Sequence, residues 1–329
     1  MFIALAIVAL IAALAVVPID TRPLPARPHP IADFARAVAT YDSLRAIEAD
    51  LVMPDAASLI YAHDEKRPRS IVLIHGLTNS PRQFRELAEQ FYERGYNVIV
   101  PRLPEHGFRA ADVGALKRLT AEKYRDYADQ AVDVAAGLGD SVFVIGLSAG
   151  GNVAAWIAQH RPDVTRVVVV APAIGLARVP NLLAAPTMNL LERVPNLTFH
   201  QKPDSGRGHA YFGVSTRGLG ETLRFGASIM EQADLGAPGV HDLAMVLNEN
   251  DRTIDPDVAR RLADRWRSDG TVVMVSFQFD KRLALPHDVV DMTQRCGMTD
   301  VVYPVLIALV EKREPVIADG AARCGTGEP

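Results

Sequence analysis

Ser148, Asp251 and His287 are the residues whose types could carry covalent chemistry. Ser148 sits in Gly146-Leu147-Ser148-Ala149-Gly150. A serine hydroxyl is a weak nucleophile near neutral pH and needs a base beside it. That base is expected to be a histidine, held in the right tautomer by a carboxylate. Nine histidines compete for the role. His287, in Leu285-Pro286-His287-Asp288, is the best placed, on the loop after the last strand. His75 and His106 fall near the same end of the fold; His75, just before Gly76, suits a loop-shaping role, and His106 is a similar case. His200, His209 and His241 fall in or near a separate segment. Asp251 directly follows an apolar run and is the expected carboxylate. Asp255 is its rival, and also suits the start of a helix ahead of Pro256. Two backbone N–H groups, of Leu77 and Ala149, are the expected donors to the oxyanion that attack on a carbonyl would create.

The elements that must position these groups are legible as alternating runs. Val142-Phe143-Val144-Ile145 is short, apolar and β-branched, which suits a buried parallel strand. Gly151 to Ala158 follows as a helix. A sharp strand-to-helix turn between them lifts the Ser148 hydroxyl clear of the sheet, and glycines at 146 and 150 allow the chain to approach itself closely. Ser70–Ile74 runs as a buried strand into His75-Gly76-Leu77. Tyr96–Val100, Arg166–Ala171, Leu243–Leu247 and Thr271–Phe277 are further strands, and Ser58–Ala62 is a first one. Helices are expected over Asp33–Asp50, Pro81–Arg94, Thr120–Leu138, Asp257–Arg267 and Val289–Glu311. This alternation predicts a mostly parallel sheet flanked by helices, with the ligand crevice at the carboxyl ends of its strands.

The expected organisation is a Pro-rich linker at 18–33, a core formed by 34–172 and 241–315, an insertion at 173–240 and a tail at 316–329. The insertion is where the alternation breaks. It reads as a cap over the site, with Leu182, Leu183, Met188, Leu190 and Leu191 as residues that could line an acyl pocket. A pair of ordinary sheet-covering helices is the other reading.

Phe2 to Val17 is unbroken apolar sequence ended by Pro18. It fits either a cleaved secretory signal or a retained membrane anchor. Both readings place the domain outside the cytoplasm, and the second implies membrane association through residues 1–17. The linker would then hold the domain off the membrane. In an oxidising compartment the two cysteines, Cys296 and Cys324, could pair. A net charge of −4 with no basic run, and only 6% aromatic residues, argue against a nucleic-acid partner. Nothing in the sequence suggests a metal site or a cofactor.

Taken together, the motifs Val72-Leu73-Ile74-His75-Gly76-Leu77, Gly146-Leu147-Ser148-Ala149-Gly150-Gly151, Asn250-Asp251-Arg252-Thr253-Ile254 and Leu285-Pro286-His287-Asp288 resemble the α/β-hydrolase superfamily over roughly residues 70–311. The order serine, aspartate, histidine is that family's order. Within it the chain looks most like bacterial serine carboxylesterases and monoacylglycerol lipases. The resemblance implies Ser148 as nucleophile, Asp251 as acid, His287 as base, and Leu77 and Ala149 as oxyanion donors, acting on a small ester or lipid. The motifs separate fold and triad better than substrate. Amide or thioester hydrolysis, acyl transfer and a non-catalytic binding role are the alternatives. The long apolar N-terminus departs from a compact esterase, and the cap sequence matches nothing in the pattern.

Overall fold

The computed structural model describes residues 12–109, 113–200, 213–268, 270–294 and 296–317. Its centre is a seven-stranded sheet in the order β1-β3-β2-β4-β5-β8-β9. The strands are β1 (Leu59–Tyr61), β2 (Arg67–Ile74), β3 (Asn97–Val100), β4 (Gly139–Leu147), β5 (Arg166–Val170), β8 (Asp242–Asn248) and β9 (Val273–Phe279). Only β1, on one edge, is antiparallel; every other pairing is parallel. The four central strands end in near-continuous Val, Ile and Leu because both faces of a parallel sheet are covered.

The covering helices form two layers. On one face lie α1 (Phe34–Glu48), α3 (Ala121–Leu138), α4 (Ala149–His160), α6 (Thr216–Leu235) and α7 (Pro256–Arg267), around a core that includes Trp156, Phe225 and Trp266. On the other lie α2 (Arg85–Glu93) and α8 (Thr299–Val310), packed on Phe91, Val302 and Leu306. Side-chain caps fix where several of these helices begin: Asp33 accepts from the Arg36 N–H, Thr120 from the Lys123 N–H and Ser215 from the Gly218 N–H.

Two expectations change here. The closing helix begins at Thr299, not Val289. Between them, Asp288 Oδ1 accepts from the amides of Val290 and Asp291, and Asp291 Oδ1 accepts from that of Thr293. These local bonds satisfy the backbone in turns and displace the helix. Within 173–240, α6 is not a lid but part of the core. Phe225 and Ile229 are fully buried, and the Phe225 ring stacks on Tyr124 of α3 at 5.2 Å. The remainder of that stretch holds α5 (Asn181–Arg193) and a small hairpin of β6 (Thr198–His200) and β7 (Gly213–Ser215). Leu182 and Leu183, on the first turn of α5, face solvent.

The Pro-rich segment does not stand away from the domain. It runs along it as a strap. Trp156 Nε1 donates to the Leu24 carbonyl at 2.8 Å. The Arg27 and His29 amides donate to the carboxylates of Asp129 and Asp133 at 2.7 and 2.9 Å. Those two aspartates also hold the fully buried guanidinium of Arg161, at 3.1 and 2.7 Å. Further upstream the strap meets α5: Arg193 Nη1 donates to the Leu14 carbonyl at 3.0 Å, its Nη2 to that of Pro18 at 3.0 Å, and Asn189 Nδ2 to that of Ala15 at 2.9 Å. Residues 1–11 of the expected signal or anchor lie outside the described residues. So does Cys324, and with it the expected pairing with Cys296. Among the described residues no helix is long and apolar enough to cross a membrane.

Candidate active site

β4 delivers Ser148 at its carboxyl end and α4 starts immediately after it. The turn between them is tight enough to place Ser148 at φ 60°, ψ −116°. A non-glycine residue seldom adopts a positive φ, and such strain persists only where the surroundings enforce it. Here they do. The Ser148 N–H donates to the Val170 carbonyl at 3.0 Å, and the Ser148 carbonyl accepts from Asn152 at 3.0 Å and Ala173 at 3.1 Å. The flanking glycines make the turn possible. A Cβ on Gly146 would lie 2.0 Å from the Gly150 carbonyl oxygen, and one on Gly150 would lie 2.1 Å from that of Ile74.

His287 reaches the serine from the loop after β9. Its Nε2 is 2.9 Å from Ser148 Oγ, and its Nδ1 is 2.6 Å from Asp251 Oδ2. The other carboxylate oxygen of Asp251 accepts from the amides of Thr253 and Ile254, at 2.8 and 3.3 Å. The Asp251 side chain is 1% exposed. A buried carboxylate, which can only accept, takes the Nδ1–H and so selects the tautomer whose Nε2 lone pair faces the serine. Asp255, the competing carboxylate, instead accepts from the Asp257 N–H and caps α7.

Leu77 follows Gly76 beyond the end of β2, and Ala149 follows Ser148. Ala149 opens α4, where the first amides have no acceptor within the helix and the helix dipole favours negative charge. Gly76 packs against the serine: a Cβ there would meet Ser148 Cβ at 3.5 Å. The peptide joining Gly76 to Leu77 is fixed by His75. His75 Nε2 accepts from the Leu103 N–H at 3.0 Å, so Nδ1 carries the proton and donates to the Gly76 carbonyl at 2.9 Å. In a trans peptide the N–H points opposite to the C=O. The Leu77 N–H is therefore turned away from His75. Burial, with a smaller effect of neighbouring His106, holds the His75 ring well below the usual histidine range. His106 is fully buried too, with Nε2 2.7 Å from the Leu77 carbonyl, and burial pushes it down to about 4.

A further set of residues was not singled out from the sequence. The Gly76 N–H donates to Gln83 Oε1 at 2.9 Å. Asn79 Nδ2 donates to Asp288 Oδ2 at 3.0 Å and to Asp291 Oδ2 at 3.2 Å. Asp288 is pushed up from the usual carboxylate range, first by burial and then by the charge of Asp291. These groups join the loop after β2 to the loop that carries His287. Their only sequence signal is polarity inside stretches that otherwise read as core. Among the described residues no group of three His, Cys, Asp or Glu side chains is arranged to hold a metal ion. His209 lies outside the described residues.

The arrangement can activate a hydroxyl for attack on an electrophilic carbon and stabilise the resulting anion. The model of the alpha/beta hydrolase family matches residues 71–276. A thermostable monoacylglycerol lipase of Bacillus sp. (strain H-257) is 32% identical over 121 residues, 35% of this chain and 45% of that protein. The phospholipase YtpA of Bacillus subtilis (strain 168) is 32% identical over 108 residues, 32% of this chain and 41% of that protein. The chain thus matches less than half the length of these curated relatives. A solved structure from a study of LipS and LipT, two metagenome-derived lipolytic enzymes, superposes with a TM-score of 0.58 at 20% identity, over 80% of this chain and 100% of that one.

Proposed function

The chain belongs to the alpha/beta hydrolase family, and on that premise we propose that it is a serine hydrolase of carboxylic esters, working through an acyl-enzyme on Ser148. The observation that carries this reading is the double contact of His287, 2.9 Å from Ser148 Oγ on one side and 2.6 Å from Asp251 on the other. His287 Nε2 takes the hydroxyl proton as Ser148 Oγ attacks the ester carbonyl. Asp251 stabilises the imidazolium that forms, without taking its proton. The Leu77 and Ala149 N–H groups receive the oxyanion, each worth about 3 kcal/mol in the transition state. His287 then returns the proton to the departing alkoxide, and the alcohol leaves. Water, deprotonated by His287, attacks the acyl-enzyme, and the acid is released with Ser148 restored.

An ester of a single acyl chain is the substrate class this reading favours, supported by the monoacylglycerol lipase among the relatives; the phospholipase supports a lipid ester more broadly. We also propose that the domain lies outside the cytoplasm, a reading supported by the apolar run from Phe2 to Val17.

The test is hydrolysis of p-nitrophenyl esters from acetate to palmitate by the wild-type chain and by Ser148→Ala. Turnover that disappears in the variant supports the reading. Equal turnover in both, or none in a folded wild-type protein, overturns it.

A further inference from the structure

A cavity of about 430 Å³ lies between α5, α6, α7 and the segment that follows β5. Neither Ser148 nor His287 lines it. Its interior is apolar: Ile174, Met188, Leu223, Met230 and Val258 converge there, and four of them are almost fully buried, at 9%, 7%, 7% and 8% exposure for Ile174, Met188, Leu223 and Val258. The cavity is half open, mainly apolar inside and polar around its mouth, and clefts of a few hundred Å³ of that kind are common small-molecule sites.

The charges at its mouth are unevenly committed. Asp234 is paired with Arg265 at 2.8 Å, Glu231 accepts from the Thr21 hydroxyl, and Asp255 accepts from the first turn of α7 at 2.9 Å. Arg261 is different. It is exposed on α7, and among the described residues it forms no ion pair. Its Nη2 donates to Asn181 Oδ1 at 3.2 Å, across the mouth from α5. This leaves a guanidinium and a carboxamide side by side at the open end of an apolar cavity. That pairing matches a molecule with a hydrocarbon tail and a carboxylate head, since guanidinium binds carboxylate through parallel charge-assisted hydrogen bonds.

We propose that this cavity is a binding site for a single-chain carboxylic acid, separate from the Ser148 centre, with the chain inside and the carboxylate on Arg261 and Asn181. The acid is of the class that hydrolysis of an acyl ester releases, but the site does not depend on that reaction. One wall of the cavity is the strip where Gly175–Ala177 pairs with Thr253–Asp255. In that strip the Ala177 N–H donates to the Thr253 carbonyl at 3.1 Å, and the Asp255 N–H to the Gly175 carbonyl at 2.9 Å. The same strip continues into Asp251 on one strand and Ala173, which is bonded to the Ser148 carbonyl, on the other. A bound chain would lie against the segments that hold both groups.

The experiment is calorimetric titration of the full chain with dodecanoate and with dodecan-1-ol. One molar equivalent of dodecanoate is expected to bind. Arg261→Gln should weaken dodecanoate binding about tenfold and leave dodecanol binding unchanged. Ala227→Trp, which fills the cavity, should abolish both. Arg261→Gln lies at the exposed mouth and keeps the test decisive if the tryptophan variant does not fold. Protein whose Ser148 has been blocked with a dodecyl fluorophosphonate should still bind dodecanoate. No binding, binding unaffected by Arg261→Gln, or binding lost on blocking Ser148 would each overturn the proposal. Failure of the fluorophosphonate to label Ser148 would count against the ester-hydrolase reading instead, and the titrations of wild type and Arg261→Gln would still decide this one.

Discussion

Asn79 and Asp288 are 209 residues apart in the chain and joined by a 3.0 Å hydrogen bond from Nδ2 to Oδ2. The bond connects the loop expected to bind the oxyanion with the residue next to His287. Asn79 is almost wholly buried, so nothing in solvent can replace its contacts.

Removing that bond should disturb catalysis more than binding. Asn79→Ala removes one donor from each of two carboxylates and cuts the link between the two loops, while Asp288 keeps Gln294 and two amides and Asp291 keeps Thr293; the cost is about 1–3 kcal/mol. We expect kcat on a p-nitrophenyl ester to fall about 10- to 100-fold with little change in KM. Steady-state kinetics beside a thermal melt separates this from general loss of fold. An unchanged kcat would show that the two loops are held in place without Asn79.

Asp251→Asn should be nearly as damaging as loss of the serine. Asp251 Oδ1 accepts from two backbone amides, so an asparagine there must keep its oxygen on that side. Its NH2 group then faces His287 Nδ1. The ring is driven into the tautomer with a proton on Nε2, which cannot accept one from Ser148. A fall in kcat/KM of about 10⁴ is expected. Retention of more than a tenth of the activity would mean that Asp251 does not set the tautomer.

The turn at Ser148 stores strain that can be measured. Ser148→Ala and Ser148→Gly should both be inactive, but glycine accepts a positive φ without a steric penalty. Part of that gain is offset by the greater entropy of glycine in the unfolded chain. The glycine variant should be the more stable of the two by roughly 0.5–1 kcal/mol. Urea unfolding of the pair decides it, and an alanine variant of equal or greater stability would contradict the strain.

Acid should weaken the fold through two buried histidines. His75 and His106 are both held neutral by burial, His106 down to about 4. The unfolded chain takes up these protons near pH 6.5, and the folded chain does not. Stability is therefore full above about pH 6.5 and falls as pH drops toward 4, by about 1.4 kcal/mol per pH unit for each histidine. Urea unfolding at pH 7 and pH 5.5 should show the loss. In His106→Asn the dependence should be shallower by one proton, and an unaltered slope would exclude His106 as a source.

What could be read from the sequence depended on range. The strands ending at Ile74, Leu147, Val170 and Asn248 are written as local apolar runs, and the turn at Ser148 is written as glycines on either side of a serine. Each of these is a property of neighbouring residues. The Asn79–Asp288 bond is not, because its partners meet only after six strands have been laid side by side. The strap was misread for a related reason. Proline content marks an extended chain, but its docking depends on Asp129 and Asp133, which on a helix read as ordinary solvent-facing acids. The late start of α8 was hidden because the Val289–Val290 pair is apolar enough for a helix, while the side chains of Asp288 and Asp291 claim the local amides.

The contacts of Arg193 and Asn189 with residues 14–18 fix the direction in which the chain leaves the domain at its amino end. Anything attached upstream of Ala12 is handed off beside α5, at one position and with one heading. Residues 14–18 are thus fastened to α5 through Asn189 and Arg193, so a pull on the amino end of the domain would reach α5 before it reached the sheet. Inserting a few flexible residues between Pro18 and Leu24 would lengthen the strap while leaving every residue around Ser148 in place. It would therefore separate how the domain is oriented from what its centre does.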